Sequence, residues 1–537
     1  MSPHVSRRVL LGGAAATAAA AGAGALALRR ESWPGTLGGA DAARGHKLRD
    51  GRFPPPAETR ETGIAIVGGG VAGLAAAWAL AEAGHENVTL FELEDQPGGN
   101  ARSGRNAVSA FPLGAHYLPI PNAEATSVRH LLERLGIITG WSGGKPIFDP
   151  YQVVADLDER LLRLGRWQEG LEPSFALSPG ERRESEAFFA AMANYRAMRG
   201  RDGRPAFALP ATFSSRDAEL LALDRISFAT WLDRKGFRSP ALRAHLRYCC
   251  RDDYGCEPEH TSAWAGIHYF AGRRGEAANV DGDAVLTWPS GNGHLTQAMA
   301  RRVASRISGG QVVHAVRTEG AGAVIDSYDV AAGRTIRWQA QAAIVAAPRF
   351  VAARLVGGSA EGFSYAPWVV ANVTVDRLPR GPGTALAWDN VSSTSPSLGY
   401  VVATHQSQGA VDGPTVLTWY DALSSMPPAA ARRLMLSRPL GEWQRLVADD
   451  LLAMNPDLKG AIRRIDVWRW GHGMIRPVPG FLWGAAREAA AEARPPLFFA
   501  HSDLSGLSLF EEAHYRGTLA AEQAMAHLGR PFTSLLA

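Results

Sequence analysis

Hydrophobic positions along this chain come in blocks of distinct character. From Val9 to Leu28 there is no charge at all, and the stretch is mostly Ala, Gly and Leu. Gly63-Ile64-Ala65-Ile66-Val67 is a short continuous apolar run, as expected of a parallel strand buried on both faces. A nearly unbroken apolar stretch from Val71 to about Ala83 then predicts a buried helix that stops at Gly84. Val88-Thr89-Leu90-Phe91 predicts a second strand. Between the first block and these elements, residues 29–62 hold Gly38-Gly39, Pro54-Pro55-Pro56 and mixed charges without periodicity, which predicts an extended linker.

The turn between the first strand and the helix is Gly68-Gly69-Gly70-Val71-Ala72-Gly73, and Glu92 ends the second strand. This is a Gly-x-Gly-x-x-Gly sequence in its required strand–helix–strand context. Gly68 permits the tight turn, Gly70 lets backbone approach a pyrophosphate, and Gly73 lets the helix lie close to the sheet. The first turn, at Val71 and Ala72, offers free N–H groups and partial positive charge to phosphates. Glu92 is placed to accept from adenosine ribose hydroxyls, and its charge disfavours a 2′-phosphate. A dinucleotide site follows.

Beyond it, Gln96-Pro97-Gly98-Gly99-Asn100-Ala101-Arg102-Ser103 carries a second glycine pair. That arrangement resembles the flavin amine oxidase and phytoene desaturase superfamily, which binds FAD. Several later segments are similar to the same superfamily: Leu113-Gly114-Ala115-His116-Tyr117, Ser290-Gly291-Asn292-Gly293-His294-Leu295, Gln311 to Val316 with Val313, and Ala343 to Pro348. So are Phe498 to Asp503 and Glu511-Glu512-Ala513 with Gly517. The resemblance implies an α/β fold. A doubly wound FAD-binding Rossmann-type domain would be assembled from residues 63–125, 285–350 and 490–530, with a discontinuous α+β substrate domain from 126–284 and 351–489.

The resemblance implies that Gly99, Arg102, Gly114, Ala115 and Val313 border the cofactor. It also implies that Asp503 binds ribityl hydroxyls, with Glu512 and Ala513 opening a helix aimed at the flavin pyrimidine edge. The superfamily's usual arginine after the glycine pair is Asn100 here, and its active-site lysine position falls on Asn372. One wall of its aromatic sandwich falls near Arg476. Arg476 is therefore expected to select a carboxylate-bearing substrate, with His116 and Tyr117 as polar groups beside the reactive ring. The implied activity is hydride transfer to flavin from an amine, amino acid or related small molecule, with oxygen, a quinone or a carrier protein as electron acceptor. A desaturase or isomerase of a lipid or polyene is the alternative, and a non-enzymatic escort of the same fold is a third reading.

Charge adds little: 56 basic against 52 acidic residues give +4, without a basic stripe, so no nucleic-acid partner is expected. Cys249, Cys250 and Cys256 are too few for a disulfide framework and match no metal-ligand spacing. They read as buried thiols or as a Cys250–Cys256 bridge.

Ser6-Arg7-Arg8-Val9-Leu10-Leu11 is a twin-arginine pair before the uncharged stretch, and Ala25-Leu26-Ala27 offers a small-x-small cleavage site. Residues 1–28 are expected to be a signal handled by the twin-arginine translocase, which passes proteins already folded around a cofactor. A periplasmic or secreted location follows, or a membrane-anchored one if the segment stays uncleaved. Replacing Arg7 and Arg8 together by Lys keeps the charge and removes the recognised pair. Cell fractionation should then find the protein retained in the cytoplasm, and an unchanged periplasmic fraction would refute this route.

Overall fold

The computed structural model describes residues 32–407 and 413–537. The twin-arginine segment and its cleavage site lie outside the described residues.

Two sheets organise the chain. The cofactor-side sheet is built on β2 (Pro56–Val67), which leads into α2 (Val71–Glu82) and then β3 (Val88–Phe91). β3 pairs parallel with β2, and a short strand at Ile307–Ser308 extends the sheet beyond β3. On the other side β2 pairs parallel with β6 (Arg334–Val345), which pairs in turn with β10 (Leu497–Phe499). β4 (Gln311–Glu319) and β5 (Gly322–Asp329) form an antiparallel meander on the first half of β6. The strand order is therefore doubly wound around β2. Residues Ile64 to Val67 are almost wholly buried, as a strand covered on both faces must be.

Helix α2 lies on this sheet against α5 (Phe510–His527), and the contact is made possible by glycine. A Cβ on Gly73 would sit 1.8 Å from the Gly68 carbonyl oxygen, and one on Gly517 2.1 Å from that of Ala72. Gly68 itself has φ +108°, a conformation that only glycine adopts cheaply. The chain's distant ends thus converge on the phosphate-loop turn.

The second sheet has eight strands. At its heart β7 (Tyr365–Val375) pairs antiparallel with β8 (Thr415–Asp421) and β9 (Ile462–Ile475). Strands at Tyr400–Val402, Asp389–Ser392, Glu159–Arg163 and Arg166–Glu169 continue it outward from β8. Helices α3 (Pro240–Tyr254) and α4 (Ala263–Ala271) belong to a helical cluster packed around Phe188, Phe228 and Trp264.

The stretch expected to be an extended linker is ordered over its described part. It contains β1 (Leu37–Gly39), paired parallel with β9, and α1 (Ala42–Asp50), capped by Asp41, before entering β2 early. Its helix buries no residue fully, so the apolar periodicity that reveals other helices is missing. The three cysteines are buried and unbridged.

Candidate functional site

The cofactor end is an arrangement of backbone more than of side chains. Helix α2 starts at Gly70 with no side-chain cap, which leaves its first N–H groups available. Val71 is half-buried and Ala72 buried at this turn. Space is open in front of it: a Cβ on Gly70 would approach only the Gly99 Cα, at 3.9 Å. Glu92 is buried at the end of β3, where its carboxylate accepts from the Gly69 and Glu94 N–H groups, both at 2.8 Å. Burial raises its pKa, so a ligand hydroxyl would supply further hydrogen bonding that this carboxylate needs. Val313 lies buried on β4 in the core that also holds Phe91. An uncapped helix start, an unfilled glycine cradle and a buried acid on the next strand fit the adenosine and pyrophosphate of a dinucleotide.

Gly99, with φ +54°, faces Gly70, and the Ala115 N–H donates to the Asn100 carbonyl at 3.1 Å. A Cβ on Gly114 would collide with that same carbonyl, so this segment lies flat against the second glycine turn. Ala115 remains solvent-accessible beside it.

Four of the expected site residues have protein partners of their own. The Arg102 guanidinium pairs with Glu94 at 3.3 Å and lies over the Trp468 and Trp470 rings, while its buried Nε has no partner among the described residues. Asp503 accepts from Tyr365 Oη at 2.6 Å and the Arg349 N–H at 2.8 Å, and pairs with His501 at 3.0 Å. Burial works to raise its pKa, but these partners outweigh it and hold the carboxyl below its usual range. It is foremost a hub between β7 and the strand–helix turn at 349. The Glu512 side chain is buried and accepts from the Ala211 N–H at 2.5 Å, which fastens α5 to the 211 turn. Ala513 stays half-buried on the same helix turn.

The fourth is Asn372. It donates to the Pro112 carbonyl at 3.2 Å and accepts from Thr418 Oγ1 at 2.8 Å, so its amide knits β7 to β8 and to the segment before Gly114. Arg476 donates through Nε to Cys256 Sγ at 3.0 Å and through Nη1 to Ser364 Oγ at 3.1 Å. Spacing from motif anchors located both residues but could not show these partners.

His116 and Tyr117 lie among aromatic and charged groups. The His116 Nδ1 is 3.2 Å from the Gly114 carbonyl, so Nδ1 carries the proton and Nε2 keeps a free lone pair. Its ring lies 5.0 Å from Tyr420 and 5.7 Å from Trp388 between centroids, and burial lowers its pKa to about 4. Tyr117 Oη is 3.2 Å from Arg273 and 3.4 Å from Asp253, which pairs with Arg273 at 2.6 Å.

Around these lies a set of carboxylates that motif reading missed. Glu159 and Asp389 are directly opposite on neighbouring strands. Like charges so placed repel. Asp389 is buried beneath the hydroxyls of Tyr248, at 3.2 Å, and Tyr420, at 3.3 Å. Asp252 follows on α3. Burial, then neighbouring negative charge, raises Glu159 and Asp252 to about 7 and Asp389 well above the carboxylate range. Yet Glu159 is solvent-accessible and Asp252 partly so. Among the described residues neither side chain has a hydrogen-bond partner, and Asp253 keeps one buried oxygen unpaired. Arg273 is the main cation these acids feel; Arg476 is not among those that shift them. The acids gathered here outnumber Arg273, whereas the sequence led to the expectation of a carboxylate-selecting Arg476. Asp252-Asp253 was visible in sequence as an adjacent pair, but Glu159, Arg273 and Asp389 are scattered over 231 positions.

A doubly wound nucleotide cradle joined to a second, largely antiparallel sheet is the architecture of a two-domain flavoprotein oxidoreductase. Residues 71–525 match the model of the flavin-containing amine oxidoreductases, and the chain belongs to that family. It is an FAD-dependent oxidoreductase. Similar solved structures include a double mutant of putrescine oxidase made in a redesign of cofactor binding, at 17% identity and TM-score 0.64, covering 88% of this chain and 100% of that one. Cyclohexylamine oxidase from Brevibacterium oxydans IH-35A is 15% identical with TM-score 0.61, covering 88% and 100%. A fatty acid isomerase from P. acnes that produces CLA is 15% identical with TM-score 0.57, covering 86% and 98%.

Because Gly70 has φ −73° and open space before it, Gly70→Leu should fold normally while its side chain fills the cradle. FAD content per protein should fall about tenfold or more, with circular dichroism unchanged. Full FAD occupancy in this variant would show that the cradle is elsewhere.

Proposed function

We propose that this enzyme oxidises a cationic amine held in the acidic cavity beside His116 and Tyr117. The observation that supports it is the pair Glu159 and Asp252, without side-chain hydrogen bonds among the described residues and raised to about 7 by burial and then by a neighbouring carboxylate, Asp158 for Glu159 and Asp253 for Asp252. Carboxylates kept in so costly a state gain most from an incoming cation, since an ion pair in a desolvated site is stronger than in water. Asp389 adds a third negative group behind Tyr248 and Tyr420. The rings of Tyr117, Trp388 and Tyr420 offer apolar faces to the substrate's alkyl carbons.

FAD, when bound, supplies the acceptor for the hydride from the carbon next to nitrogen. An ammonium nitrogen cannot support that loss until it gives up a proton. The free Nε2 of neutral His116 and the carboxylates near 7 are the groups placed to take it. No lysine is required: the chain has four, and none falls on β7. The reading as a lipid or polyene isomerase calls for an apolar lining, which these carboxylates oppose. Support for action beyond the cytoplasmic membrane is the twin-arginine sequence, and oxygen, a quinone or a carrier protein would then reoxidise the enzyme.

The test is anaerobic mixing with a panel of amines, amino acids and unsaturated fatty acids, following loss of visible flavin absorbance. Alkylamines or diamines should bleach the flavin and fatty acids should not. Glu159→Gln with Asp252→Asn should raise KM for the amine by about tenfold or more, equivalent to about 1.4 kcal/mol, with a smaller change in kcat. As pH rises from about 6 to 8 the two carboxylates ionise, so the wild-type KM should fall over that window and the double variant's should not. Bleaching by fatty acids alone, or a KM indifferent to both substitutions, would refute the proposal.

A further inference from the structure

Residues 33–53 precede the family-matched region and cross from one sheet to the other. On the substrate side, Thr36 donates through N–H and Oγ1 to Asp466, at 2.9 and 2.7 Å, and β1 runs alongside Val467 to Arg469. Gly38 lies against the Trp468 ring, where a Cβ would come within 2.5 Å. On the cofactor side, the Asp41 N–H donates to Glu94 at 2.8 Å. Arg44 donates to the Leu93 carbonyl at 3.1 Å and to Asp95 at 2.7 Å. Phe53 then stacks on His314 of β4, with 4.1 Å between centroids.

These attachments converge on the turn that follows Glu92. The Glu94 N–H holds one Glu92 oxygen, and the Glu94 carboxylate takes both Asp41 and Arg102. Arg102 in turn lies over Trp468, which β1 covers. The segment, Glu94, Arg102 and Trp468 thus form a closed ring of contacts tying the two sheets together beside the nucleotide cradle. Residue His46 of α1 also reaches the field of His472, which is solvent-accessible at the far end of β9.

We propose that residues 33–53 are a clasp on the cofactor site. Asp41 and Arg44 are positioning residues that hold the 93–95 turn, and with it Glu92, set for the adenosine ribose. β1 locks the opposite sheet over Arg102, and FAD leaves when the clasp lifts. The inference rests on the FAD assignment of the cradle but not on the substrate.

The experiment measures FAD release from holoenzyme, followed by the fluorescence of freed FAD in the presence of a flavin-trapping protein. Gly38→Val blocks docking of β1 and Arg44→Ala cuts the tie to the 93–95 turn; neither touches the cradle. FAD should leave about tenfold faster from Gly38→Val and several-fold faster from Arg44→Ala, with amine KM unchanged at saturating FAD. Arg44→Lys should recover part of the loss, because it keeps the charge without the fork. Limited proteolysis near the exposed Gly51-Arg52 bond reports whether the clasp has lifted. Release within about twofold of wild type, from a folded variant whose clasp is readily cut, would overturn the proposal. Should Gly38→Val fail to fold, Arg44→Ala decides alone. A wild type without FAD would instead refute the cofactor assignment.

Discussion

The ion pair of Arg273 with Asp253 is the interaction on which the cavity depends. Asp253 lies on α3, Arg273 follows α4, and both reach Tyr117 on the strand beside the cofactor segment. One guanidinium therefore ties the helical cluster to the polypeptide that carries His116. The same pairing uses up the main cation available. Burial still raises Asp253 against the pull of Arg273, and it raises Glu159 and Asp252 more than Arg273 lowers them, while Asp389 feels burial and the charges of Glu159 and Asp252. Breaking such a pair by removing one partner costs about 3–5 kcal/mol, because the other charge is stranded. A protein that holds three further acids near it accepts a standing electrostatic cost, and sites of that kind are where ligands bind.

The cofactor end was legible in sequence because its physics is local. Gly68, Gly70 and Gly73 answer to a single turn, and Glu92 to the end of the very next strand, so spacing along the chain is spacing in the structure. The distant Gly517 works through contact with Ala72, and only its motif company betrayed it. Around several expected site residues, hydrogen bonds to protein are already made. Asn372 and Asp503 are bonded to protein neighbours, while Arg102 Nε and one Glu512 oxygen are buried with no partner among the described residues. Sequence reports a residue's type and approximate place but not which of its bonds are already made.

The cavity was illegible for the opposite reason. Glu159 and Asp389 become neighbours through strand pairing between segments that lie far apart, and Arg273 joins them from a third. No local pattern marks any of them. The N-terminal clasp escaped notice because it stands on hydrogen bonds and one edge strand rather than on an apolar face. Cavity and clasp nonetheless serve one arrangement: the first sets the charge presented to a substrate, and the second keeps the cradle beside it closed.

The central claim is that the cavity holds carboxylates that a bound cation would force to ionise. Calorimetry with a quaternary alkylammonium ion, which cannot be oxidised and carries no proton of its own, tests this directly at pH 7 in buffers of differing ionisation enthalpy. Glu159 and Asp252, near half-protonated there, should lose protons as the cation lowers their pKa, so binding should release about one proton or less. Absence of binding, or binding with no proton released, would contradict it.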